Sequence, residues 1–376
     1  MAIDAEWARR NLGISLTGST PSGALDSPAD GGDDRQLQRQ LIDFDSQGPS
    51  GAAFQGQATQ TAIELSHFVP IPWPEGFAPT AGSTPTGDSL PKADVLIVTW
   101  TVDAGHGLSQ VLTPGVDSHS GWKNYTKNFE QISKTMSPVC PARQAGRLGT
   151  YWTTQIGTQR VTLFKSDSHM SQDGPKLANA VVWKQIIEDC RPSWVITTGT
   201  GGGIGPDLEV GDVIVSRFVS FDCQKQFKKL NGESYACQTQ APSEKFAMAG
   251  SLFDVNSPML PKDNSRPPKI VSATAFDSGI LTTDFFGFDN TANTYGLEGK
   301  GDLSEMGDAV LGMVCQDLGG DAPSYVVVRN VSDPQIDSAG LTLEAQTKLA
   351  AGIYQGYGLW STICSAIVCW AIVAGL

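Results

Sequence analysis

From Ala93 onward, short apolar runs rich in β-branched residues recur along the chain with amphipathic stretches between several of them, and few folds accommodate that alternation. ADVLIVTW (93–100) is bounded by Pro91 and a glycine-containing turn, as a buried strand is. VTLFKS, WVITTGT, GDVIVSRFVSF, KIVSATAF and SYVVVRNVSD follow, and KLANAVVWKQIIEDC and EMGDAVLGMVCQDLG separate some of them with helical spacing. Strands that are apolar throughout need cover on both faces, so the expected class is α/β, a three-layer α/β/α arrangement around a central, largely buried mixed sheet.

The first 91 residues differ. They are rich in Gly, Ser, Pro, Thr, Asp and Gln, with 11 acidic against 4 basic side chains, and they read as a flexible acidic extension to a domain spanning 92–376. Two short segments, DRQLQRQLIDF and TAIELSHFVPIPWPEGF, carry enough apolar groups to dock on a neighbouring surface. At the other end, LWSTICSAIVCWAIVAGL is apolar for 18 residues. Ser361, Thr362, Ser365 and the amphipathic segment before it favour a buried terminal helix over a membrane span.

The formal net charge of -13 argues against a nucleic-acid polymer as partner, because phosphate backbones are held by clustered Lys and Arg. Seven cysteines without a CxxC pair suggest neither a metal knuckle nor a disulfide framework. With a polar, acid-containing opening, the chain is expected in the cytoplasm, with no metal.

Val195 to Ser216, VITTGTGGGIGPDLEVGDVIVS, is the most informative segment. A strand ending in Gly199, Thr200, Gly201, Gly202 and Gly203 lets backbone approach a ligand closely; alone it equally suits a tight crossover turn. Thr-Gly-Thr-Gly-Gly, a spacer with Pro206, then Val-Gly-Asp-Val resembles the signature of the nucleoside phosphorylase and nucleosidase superfamily, including the methylthioadenosine/adenosylhomocysteine nucleosidases. SEMGDAVLGMVCQDLG (304–319) is similar to that family's Glu-Met-Glu helix start, and SYVVVRNVSDPQID (324–337) to its strand ending in Ser-Asp. The blocks occur in the family's order over about 280 residues, so the resemblance implies a phosphorylase/hydrolase-like fold.

The resemblance assigns roles. Asp333 stands where the family places the acid that protonates the departing base, and Ser332 would orient it. Thr200, Gly201 and Gly202 would line the sugar site, Met306 would pack beneath the ring, and Phe285 or Phe286 of GILTTDFFGFD would stack on the base. Two departures stand out. Gly307 replaces the last Glu of Glu-Met-Glu, leaving Glu305 or Asp308 to grip the sugar hydroxyls, and the loop after the first strand has no Glu, leaving Asp103 or His106 to activate water. Thr197 and Thr198 precede Gly199 where a phosphorylase would carry an Arg, since a guanidinium fork suits phosphate.

The reading is cleavage of the N-glycosidic bond of a purine nucleoside or nucleotide-like substrate by water. No cofactor is implied. The alternatives are a phosphorylase, with phosphate as co-substrate, and a nucleoside-binding protein that has lost turnover. A homo-oligomer is implied by the resemblance only.

Overall fold

The computed structural model describes residues 2–13, 64–138 and 140–376. In chain order the first helix is α1 (Ala5–Leu12), and the strands begin with β1 (Thr80–Ala81), β2 (Val95–Thr99), β3 (Lys123–Tyr125), β4 (Gly149–Ile156), β5 (Gln159–Ser166) and β6 (Trp194–Gly203). They continue with β7 (Val213–Ser216), β8 (Phe218–Phe221), β9 (Ser234–Ala236), β10 (Ile270–Ser272), β11 (Ile280–Thr282), β12 (Leu303–Glu305) and β13 (Ser324–Asp333). The helices after α1 are α2 (Val102–Leu112), α3 (Phe129–Ile132), α4 (Pro141–Ala145), α5 (Ala178–Cys190), α6 (Phe246–Phe253), α7 (Asp308–Leu318) and α8 (Leu343–Val373).

Strands β5, β2, β6 and β13 run parallel and side by side. β4 closes one side antiparallel to β5, and β7 closes the other antiparallel to β13. β12, β11 and β8 form a second parallel set, joined to the glycine-rich end of β6 by an antiparallel pairing of Leu303 with Gly203 and Ser304 with Gly202. The sheet is mixed. Its apolar residues alternate between two cores: Val95, Ile97, Ile196, Val326 and Val328 pack on one face, and Leu96, Val98, Val195 and Val327 on the other. That period of two with both faces covered is why the strands read as continuous apolar runs. α8 and α2 cover the first face, α5 and α7 the second, giving the expected three layers.

α8 is long and apolar enough to cross a membrane, yet 89% of its most apolar window is buried inside the fold. Its serines explain the choice: Asn330 of β13 donates to Ser361 Oγ at 2.7 Å and accepts from Ser365 Oγ at 2.8 Å. Polar pairing of this kind belongs to a core helix seated on a strand.

The expected flexible extension is not uniform. Residues 2–13 form an ordered piece that buries Ile3, Trp7 and Ala8, and within 64–91 Ile71 and Leu90 are buried while Trp73 packs against Trp370 with ring centroids 4.7 Å apart. Trp370 Nε1 also donates to the Phe77 carbonyl at 2.7 Å. The apolar groups of the segment around Ile71 therefore dock on the terminal helix. The other candidate docking segment, 34–44, lies outside the described residues.

Candidate active site

The four parallel strands end at one edge of the sheet, where a cavity of about 760 Å³, including its open mouth, is lined by the last residues of β2, β6, β12 and β13 and the loops after β5 and β11. Ligands of open α/β sheets bind outside such carboxyl ends. Asp333, the last residue of β13, lies here because the register slips between Val331 and Asp333, bringing Asp333 opposite Gly202. Bulges of this sort re-aim a side chain at the end of a ladder. A Cβ on Gly202 would lie 3.0 Å from Asp333 Oδ2, and one on Gly199, whose φ is +146°, would lie 2.8 Å from an Arg329 nitrogen. At Gly199 the positive φ favours glycine, and at Gly202 a Cβ would crowd the carboxylate.

Asp333 is buried, and Ser332 Oγ donates to its Oδ1 at 2.6 Å. Burial pushes its carboxyl up to about 7 against the smaller opposing effect of the serine. A second carboxyl lines the same cavity. Glu305 accepts from the Thr282 hydroxyl, from the Asp308 amide at 2.9 Å and from Arg329 at 3.3 Å. Burial first, and the negative charge of Asp308 second, push it to about 7 as well. Arg329 itself makes a bidentate pair with Asp308, at 2.8 and 2.7 Å, and stacks over the Trp100 ring at 4.9 Å.

His169, in the loop after β5, supplies a different polar group. The Ser171 amide, which can only donate, points at His169 Nδ1 from 3.3 Å, so Nδ1 accepts and the ring proton belongs on Nε2. Burial, reinforced by Arg329 and Lys165, lowers its pKa to about 3, so the imidazole is neutral. Phe285, Phe286 and Gly287 form one stretch of the cavity wall, and Trp100, Met306 and Tyr354 add to its apolar lining.

A family model for the phosphorylase superfamily matches residues 126–352. The chain belongs to that superfamily. Among solved structures it is similar to a mutant methylthioadenosine nucleosidase of Helicobacter pylori with 5'-methylthioadenosine in its active site, at 16% identity, with 76% of this chain and 99% of that chain covered and a TM-score of 0.46. It is also similar to the futalosine hydrolase of Helicobacter pylori, at 16% identity, 75% and 97% coverage and a TM-score of 0.45. The 5'-methylthioadenosine/S-adenosylhomocysteine nucleosidase of Neisseria meningitidis, solved with methylthio-immucillin-A, gives 17%, 75%, 100% and 0.40.

Within this superfamily member, Asp333, Ser332, Thr200, Gly201, Gly202, Glu305, Met306, Phe285 and Phe286 line one cavity. Asp308, Asp103 and His106 do not. Asp308 lies behind the wall, engaged with Arg329. The stretch expected to be a loop after the first strand is helix α2, capped by the Thr101 hydroxyl accepting from the Ala104 amide at 3.3 Å, and this turns both candidate bases away. Asp103 faces α8, its Oδ2 3.3 Å from where a Cβ on Gly358 would sit. His106 lines a separate small cavity with Ser118, His119, Arg147 and Lys165, 4.0 Å from Asp117. Of the two residues expected to activate water, neither lines this cavity.

Sequence reasoning missed Arg329, His169, Trp100 and Tyr354. The one signal was Arg329, a lone charge inside the apolar run YVVVRNV, which implies a buried partner. Gly307 also proves permissive: its φ is 176°, and a Cβ there would meet nothing closer than Trp100 at 3.8 Å.

Proposed function

We propose that this chain hydrolyses the N-glycosidic bond of a neutral purine nucleoside, with Asp333 delivering a proton to the departing base. The observation that carries the reading is Asp333 itself: a carboxyl fixed by Ser332 against Gly202, inside a cavity that holds it partly protonated near neutrality. Cleavage develops oxocarbenium character on the sugar and negative charge on the base, and a positioned acid lowers that barrier. Phe285 and Phe286 flank the acid where a planar heterocycle would lie, and Met306 and Thr200 fall to the sugar.

Water is the acceptor in this reading. Among the described residues lining the cavity, the guanidinium of Arg329 is already shared between Asp308 and Glu305, and His169 is neutral. A phosphate dianion would find no uncommitted positive charge, and the same argument disfavours a 5'-phosphate on the substrate. Glu305 takes the place that Asp103 and His106 cannot fill, as the carboxylate that accepts a proton from water. The test is release of free base from a panel of purine nucleosides with and without inorganic phosphate. The expected result is a rate that phosphate leaves unchanged; a rate that rises in proportion to phosphate and yields a sugar 1-phosphate overturns the hydrolytic reading.

The two carboxyls predict a pH profile. Asp333 must be protonated to act, so its contribution is lost as pH rises through about 7; Glu305 must be ionised, so its contribution is lost as pH falls through about 7. Their product gives a narrow bell in kcat/KM with its maximum near pH 7, whose two limbs report the pair rather than either group alone. A profile that climbs without a break from pH 6 to 9 contradicts this pairing.

A further inference from the structure

Residues 2–13 lie outside the stretch that the family model matches, and residues 14–63 separate them in sequence from the next described segment. They nevertheless meet the chain immediately after Asp333. The Ile3 amide donates to the Gln335 carbonyl at 2.8 Å, and the Asp337 amide donates to the Ile3 carbonyl at 2.8 Å. On the opposite side of the same residue, the Ile336 amide donates to the Asp289 carbonyl at 3.0 Å and the Thr291 amide to the Ile336 carbonyl at 2.9 Å. Ile336 is thus the middle rung of a small three-stranded parallel patch, with Ile3 on one side and Asn290 on the other.

That patch sits between the two walls of the cavity. Gln335 Nε2 donates to Asp289 Oδ2 at 2.9 Å and to Glu298 Oε1 at 3.0 Å, and the Gly205 amide donates to the same Asp289 oxygen at 2.8 Å. Asp289 follows the Phe285–Gly287 wall by two residues, and Gln335 follows Asp333 by two. The N-terminal piece is built to hold its position: Asp4 caps α1 by accepting from the Trp7 amide at 2.7 Å, Trp7 is buried with its ring 6.3 Å from that of Tyr357, and Arg10 and Asn11 both reach Asp263.

We propose that Ile3 is a positioning residue of the active site, whose two main-chain hydrogen bonds fix the Pro334–Asp337 segment and thereby hold Asp333 at the base and Phe285–Gly287 over it. A displacement of about 1 Å at a reacting group costs on the order of 10²-fold in rate, so an edge rung beside the acid has leverage that its small contact area does not suggest. Its distance in sequence is no obstacle, because the entropic cost of bringing two segments together grows only slowly with their separation along the chain. The inference rests on Asp333 being the proton donor.

The test uses a chain beginning at residue 14, a synthetic peptide of residues 1–13, and the same peptide N-methylated at Ile3, which loses the donor to Gln335 and keeps every side chain. The shortened chain is expected to release base roughly 10- to 100-fold more slowly at saturating nucleoside, the natural peptide to restore the rate saturably, and the methylated peptide to compete for binding while restoring less than a tenth of it. An unimpaired shortened chain, or equal restoration by both peptides, overturns the proposal. Should the shortened chain fail to fold, Ile3→Pro in the full chain removes the same donor, with the fall in kcat read against an unchanged melting temperature; an unchanged kcat in that variant overturns the proposal. Hydrogen exchange at the Asp337 amide separates the two ideas: protection that depends on residues 1–13 in a protein with no base release condemns the assignment of Asp333, whereas base release without that protection condemns the role of Ile3.

Discussion

Asp333→Asn is expected to lower base release by roughly 10²- to 10⁴-fold while leaving nucleoside affinity nearly intact and making the fold more stable at neutral pH. The first effect follows from removing the proposed proton donor: Asn keeps the acceptor for Ser332 Oγ and nearly the same volume, so the cavity survives while the acid is lost. The second follows from where the carboxyl sits. In the unfolded chain it titrates near 3.8, and in the fold burial raises it to about 7. Between those values the folded protein must keep a proton that the unfolded chain has released, so stability falls as pH rises through this window. The rise from 3.8 to about 7 corresponds to roughly 4 kcal/mol once the pH exceeds both values. Melting temperatures of the two proteins should therefore coincide near pH 4 and diverge to the variant's advantage by pH 8. Equal melting temperatures at pH 8 would show that the carboxyl is not held in the low-dielectric site described above, and undiminished base release would remove it from the mechanism.

Much of this site was legible because it sits in contiguous motifs. The glycine-rich end of β6, Glu305–Met306 and Ser332–Asp333 each come to the cavity at a strand end, where short-range sequence carries the geometry, and Phe285–Phe286 follow a strand in the same manner. What was not legible depends on packing between distant segments. Asp103 and His106 were read as loop residues near the acid, but Thr101 starts a helix at once, and the helical rotation of about 100° per residue carries both side chains off the cavity. His169 needs Ser171 to fix its tautomer and the convergence of several distant segments on one cavity to make it a cavity residue. The first residues were the least legible, because composition does not see that Ile3 and Trp7 are apolar where the chain after β13 and α8 leave room. Nor did the phosphorylase comparison at Thr197 and Thr198 anticipate that the neighbouring strand supplies a guanidinium, since Arg329 pairs in register with Gly199.

That guanidinium is the second place where a single change should have a large effect. Arg329 is the counter-charge for Asp308 and Glu305, all three buried, so Arg329→Met keeps much of the volume and strands two carboxyls in the interior. Breaking such a group by removing one partner costs about 3 to 5 kcal/mol, enough to cancel a large part of an ordinary domain's stability. The sign with pH is opposite to that of an ordinary acid-labile ion pair. Without the cation Glu305, which burial and the charge of Asp308 already hold above the ordinary carboxylate range, ionises still less readily in the fold than in the unfolded chain, so the loss is largest above neutrality and shrinks as pH falls. Denaturant melts at pH 5 and pH 8 read this directly. Pairing Arg329→Met with Asp308→Leu removes one stranded charge and should return more than half of the loss at pH 8, because a buried ion pair replaced by apolar groups of similar size is often close to neutral. Base release is expected to return with stability in that double variant, since Asp308, whose negative charge raises Glu305 more than Arg329 lowers it, leaves together with the cation and Glu305 keeps its capacity to take a proton from water. A double variant that regains stability while base release stays low would give Arg329 a part in the reaction beyond countering the two carboxylates.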